Sequence, residues 1–159
     1  MSRSIPLMAV LIFLAGCGSP VQTTDPAGGP AIPGSTPVNS QLYAYTAYDA
    51  GGVAVVSGEL TLRFSDPDPE GTISISGTWS TRRVGGDGPV GPQVGTGKLA
   101  GSVSGAGEIQ IDLNPGWADN NVLLFAHGKP SKFSDFVGTW SRETFIGPLA
   151  GGSFRALLR

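Results

Sequence analysis

Thr72-Ile73-Ser74-Ile75-Ser76-Gly77-Thr78-Trp79-Ser80 is the stretch whose reading decides the fold. On an extended chain Ile73, Ile75, Gly77 and Trp79 fall on one side, and Thr72, Ser74, Ser76, Thr78 and Ser80 on the other. A strand points successive side chains to opposite faces, so this period of two marks a strand with one buried face. A helix, with 3.6 residues per turn, would mix the two sets around its circumference.

The same period runs outward in both directions. Upstream, Gly58, Leu60, Leu62 and Phe64 oppose Ser57, Glu59, Thr61 and Arg63, and Tyr43 to Tyr48 forms an alternating segment before them. Downstream it returns in Gly97, Leu99, Gly101 and Val103, then in Ile109, Ile111 and Leu113. Asn121 to His127 is apolar on both faces; Phe136, Gly138 and Trp140 follow, and Gly152, Phe154, Ala156 and Leu158 close the series. Eight strands are predicted. No proline lies inside any of them, and Asp66 to Gly71, Gly105-Ala106-Gly107 and Asn114-Pro115-Gly116 read as turns. Short strands joined mostly by tight turns predict one small all-β domain over residues 42–159, an antiparallel up-and-down β-barrel without exposed edges. A Greek-key β-sandwich is the alternative the same strands allow.

Alternation does not say which face points inward. A transmembrane barrel would turn the Leu/Ile/Trp face to lipid. Three features oppose it: strands read as mostly shorter than the ~9–11 residues needed to span, no aromatic girdles, and a chain ending in Arg159. The apolar face is therefore expected inside. Glycines 58, 77, 97, 101, 138 and 152 on that face would relieve crowding at strong bends and let aromatic rings lie over the backbone. Gly77-Thr78-Trp79-Ser80 recurs as Gly138-Thr139-Trp140-Ser141.

Ahead of the barrel lie two further segments. Arg3 supplies a positive start, Ile5 to Leu14 an apolar run, and Leu14-Ala15-Gly16-Cys17 ends it. The run is shorter than the roughly 20 residues of a transmembrane helix. Leu14-Ala15-Gly16-Cys17 resembles the lipobox of bacterial lipoproteins. The resemblance implies that residues 1–16 are a cleaved signal peptide. It implies too that Cys17 receives a diacylglycerol on its sulfur and usually an acyl chain on its new amino group. Two or three acyl chains, at about 0.8 kcal/mol per buried methylene, give a lasting membrane anchor. Gly18 and Ser19 stand where an aspartate favours inner-membrane retention in enteric bacteria, which points to the outer membrane of the cell envelope. Cys17 is the one cysteine in the chain, so no disulfide can support the domain. Residues 17–41 hold five prolines and little charge, and read as a flexible tether of roughly 25–30 Å that holds the domain off the bilayer.

Eight meandering strands with Gly-x-Trp also resemble the calycin group, which includes lipocalins and avidins. Those proteins carry Gly-x-Trp on the first barrel strand, whereas here it falls on the third and seventh. The resemblance implies an architecture and carries over no binding residue.

Chemistry is sparse. The net charge is −2 with no basic block, which argues against a nucleic-acid partner. His127 is the one histidine; no Gly-x-Ser-x-Gly elbow accompanies it, and there are no further Cys or His ligands for zinc, so it reads as a strand-end surface residue. Asp66, Asp68 and Glu70 before Gly71 resemble the start of a calcium loop, but Gly77 stands where the bidentate glutamate is required, and a rigid acidic turn is the stronger reading. No pair of acids lies on the inward faces, so neither an enzyme nor a cofactor is expected. Two binding readings remain. A small apolar ligand inside the barrel would be lined by Leu60, Leu62, Ile75, Trp79, Leu99, Trp140 and Phe154. A solid-core module would use surface loops instead, above all the one holding Trp117. Gly85 to Pro92 reads as a mobile flap or a tolerated insertion.

Overall fold

The computed structural model describes residues 40–117, 119–128 and 135–159. The lipobox, Cys17 and the tether through Asn39 lie outside the described residues. Eight strands form: β1 (Ser40–Asp49), β2 (Ala54–Phe64), β3 (Ile73–Arg83), β4 (Gly95–Val103), β5 (Glu108–Asp112), β6 (Asn121–His127), β7 (Phe136–Thr144) and β8 (Gly147–Leu158). Each pairs antiparallel with its sequence neighbours, and β8 returns to β1 to close the barrel. The up-and-down barrel is thus the fold, and the sandwich is excluded. The described barrel takes in Ser40 and Gln41, two residues before the expected boundary, because they pair with Arg63 and Leu62.

The apolar face points inward. Tyr43, Tyr45, Leu60, Leu62, Ile75, Trp79, Leu99, Ile111, Leu124, Trp140, Phe154 and Ala156 are buried in one cluster. The opposite faces of β2 and β3 carry Ser57, Glu59, Thr61, Ser74, Ser76, Thr78 and Ser80. The strands are longer than expected. Six strands run 9 to 12 residues, only β5 and β6 being shorter, so length does not separate this barrel from a spanning one. The strands outgrow their alternating apolar core because ladder hydrogen bonds continue past the last buried side chain. Strand β8 shows this best: it starts at Gly147, five residues before the expected Gly152, and so takes in Pro148. The proline is tolerated because it sits at the second residue, opposite a register shift at Arg142/Glu143.

Close approach explains the glycines. A Cβ on Gly97 would lie 2.7 Å from Nε1 of Trp79, so the indole lies directly over that backbone. On Gly77 or Gly138 a Cβ would run into a carbonyl oxygen of the adjoining strand, that of Thr61 or Phe125. The repeated Gly-Thr-Trp-Ser therefore meets the same demand twice. Because β3 and β7 are four strands apart in a ring of eight, the two tryptophans rise from opposite walls.

The alternating directions give the barrel two distinct ends. At the base lie Ser40, where the chain enters, the turns after β2 and β4, and the end of β6 with the start of β7. At the apex lie the turns after β1, β3, β5 and β7.

Candidate functional site

The seven residues expected to line a ligand cavity all belong to the one buried core cluster. Leu60 and Leu62 have no exposure, and Trp79 is 4 % exposed. Tyr45, Phe136 and Phe154 fill the lower half in edge-on and tilted contacts, with Phe154 5.9 Å from Tyr45 and 5.8 Å from Phe136 between ring centres. Tyr43 meets Phe136 edge-on at 5.2 Å. Burial, with the Asp135 carboxylate adding to it, pushes the Tyr43 hydroxyl up to about 12, and burial alone raises Tyr45 well above the usual tyrosine value. Higher up, both indole N–H groups are satisfied: Trp79 donates to the Leu113 carbonyl, and Trp140 to the Tyr48 carbonyl at 2.8 Å.

The loop after β3 is neither flap nor loose insertion. It folds across the apex and inserts Val90 and Gln93, which are 5 % and 0 % exposed. The Tyr45 hydroxyl donates to Gln93 Oε1 at 2.9 Å, and the Thr81 hydroxyl donates to the Gln93 carbonyl. Arg83 Nη1 donates to the carbonyls of Gly86 at 2.7 Å and Gly88 at 3.2 Å, and Asn114 Nδ2 to that of Pro92 at 3.2 Å. The glycines make this path possible, with Gly86 and Gly91 both at φ 67°. A composition that reads as slack in fact permits a tight plug.

The plug leaves a cleft of about 290 Å³ beside it at the apex. Val55, Pro89, Val90, Leu149 and Ala150 give it apolar walls, Trp140 borders it, and Asp49 sets one carboxylate at its edge. Of the seven expected lining residues, Trp140 alone reaches this cleft. Asp49 ends β1 and organises the next turn: its Oδ1 accepts the N–H groups of Gly51 and Val53, both at 2.9 Å.

Apolar side chains also crowd the outer rim of the apex. Trp117 is 61 % exposed, so it stands away from the core. Phe145 and Ile146, the two-residue tip between β7 and β8, are 81 % and 89 % exposed. Val53 and Leu149 add to the same end. Neither Asp49 nor Phe145-Ile146 stands out in the sequence, although Gly147, at φ 108°, and Pro148 mark the turn that presents the pair.

The other candidates stay apart. His127 is exposed at the end of β6, as a surface histidine should be. Asp68 Oδ1 accepts the N–H groups of Glu70 at 2.9 Å and Thr72 at 2.7 Å, so this carboxylate builds its own turn. Among the described residues no three His, Cys, Asp or Glu side chains converge as a metal site would require. No helix among them is long and apolar enough to cross a membrane.

Set beside known proteins, the chain matches no family model, no curated protein and no solved structure.

Proposed function

We propose that this chain is a lipid-anchored, non-enzymatic module of the cell envelope, held in the outer membrane through Cys17, that recognises a protein partner with the apex of its barrel. One observation carries the reading: the core is packed, while Trp117, Phe145 and Ile146 stand exposed at the end away from Ser40. Exposed aromatic and aliphatic tips on a rigid scaffold are the usual anchors of protein recognition. A core of buried side chains supports them.

The test uses a photo-crosslinking residue in place of Ile146 or, at the base, Ala106, in cells of the native organism. A discrete crosslinked product from position 146 and none from 106 is expected. Equal products from both positions, or none from either, would sink the reading. Anchoring is tested separately. Labelled palmitate should enter the native chain and not Cys17→Ser, and that variant should leave the membrane fraction.

The apical cleft favours a second reading, in which a small apolar ligand sits beside Trp140 at the mouth of the barrel. At about 290 Å³ the cleft lies at the lower limit of ligand pockets, so such a ligand is smaller than drug-sized. Native mass spectrometry of the protein isolated from its own envelope should show a reproducible added mass, and a bare mass would count against it.

A further inference from the structure

Resting on that second reading, we infer that the apical cleft selects a short aliphatic group ending in a primary ammonium. Three observations combine. The walls given by Val55, Val90 and Leu149 suit an alkyl chain. The carboxylate at the edge, Asp49, engages the turn through Oδ1, with Gly51 and Val53 as donors, while Oδ2 has no such contact. Among the described residues no lysine or arginine lines the cleft, and the nearby Arg83 is held by the carbonyls of Gly86 and Gly88.

An apolar slot with one carboxylate residue in its lining sorts its ligands by charge. An alkyl carboxylate meets repulsion, an alkanol gains only burial, and an alkylammonium gains burial with a charge-assisted hydrogen bond. Trp140 at the border reinforces the choice, because indole is the best aromatic partner for a cation. A primary amine is fully charged at neutral pH, since such groups titrate near 10.4. A small free amine and a lysine side chain share this chemistry.

The test is a titration followed by amide and indole NMR signals, on residues 17–159 carrying Cys17→Ser. The probes are n-hexylammonium, hexan-1-ol, hexanoate and Nα-acetyl-lysine amide. Hexylammonium should move the Trp140 indole signal and the amides of Ala150 and Gly151, leaving Trp117 in place. It should bind about tenfold more tightly than hexanol, a difference of about 1.4 kcal/mol. Asp49→Asn keeps the acceptor that Gly51 and Val53 need while removing the charge, so it should abolish that preference and leave hexanol unchanged. Binding of the lysine amide at the same signals points to a peptide source, and its failure beside hexylammonium points to a free amine. Equal binding of hexanol and hexylammonium would overturn the charge inference while the apolar-ligand reading survives. Failure of all four probes would overturn both.

Discussion

The base and the apex of this barrel are built from the same strands and solve opposite problems. At the base the turns after β2 and β4 are polar and satisfy themselves. Ser65 Oγ accepts the Ser74 N–H at 2.9 Å, Asp68 serves its own turn, and Ser104 Oγ accepts the Glu108 N–H at 3.1 Å. Beneath them the aromatic rings of Tyr43, Tyr45, Phe136 and Phe154 close the lower core. At the apex a long loop is drawn inside, a cleft opens beside it, and large apolar side chains face solvent. Aromatic packing thus lies toward one end of the barrel axis, and the exposed apolar turn residues Phe145, Ile146 and Trp117 lie at the other. A substitution should reveal its end of the molecule by which property it changes.

The largest effect belongs to the lower core. Phe154→Ala removes a ring with 1 % exposure and should cost about 3–5 kcal/mol in urea denaturation. A loss below 1 kcal/mol would mean that the base is not what holds the fold. The pH dependence comes from the same rings. Folding raises the Tyr43 hydroxyl to about 12 from 10.0, so the folded state holds its proton longer than the unfolded chain. That contribution is intact below pH 10 and is lost as pH rises to about 12. Unfolding midpoints should fall across that window, and less steeply in Tyr43→Phe; an unchanged slope would remove Tyr43 from the account.

Smaller effects belong higher up. Trp140→Phe leaves the Tyr48 carbonyl without its donor and should cost about 1–2 kcal/mol, read from the same denaturation curves. At the tip, the double change Phe145→Ser with Ile146→Ser should stay within about 0.5 kcal/mol of the native chain. It should nevertheless reduce retention on a phenyl column, and unchanged retention would deny the apex its role as the sticky end.

Legibility in the sequence follows the same division. All strands but β6, whose residues are apolar on both faces, show themselves by alternation, because a half-buried ladder writes its two faces into alternate residues, and Ile73 to Trp79 does so without exception. Inward glycines were legible for the same reason. Val90 and Gln93 were not, since a plug is made by single insertions with no period, hidden among glycines and prolines that suggest slack. Phe145 and Ile146 escaped for the opposite cause. Turn chemistry leads one to expect polar residues, and an apolar pair beside two strands reads as more strand. Asp49 carries no signal of its own in the sequence, and only the fold brings Trp140 to it.

Closure itself has a consequence in time. Tyr43 pairs with Leu158 and Asp49 with Gly152, so the first strand waits for the last. Such long-range contacts make folding slow, because loop closure precedes any gain from pairing. On the proposed export route, in which the chain would cross a membrane unfolded, this delay would be useful. The hairpins of β1 to β7 can form and dissolve, but no sealed barrel exists to jam an exporter until β8 has passed through. Topology alone would then keep the protein translocation-competent without a dedicated holding partner.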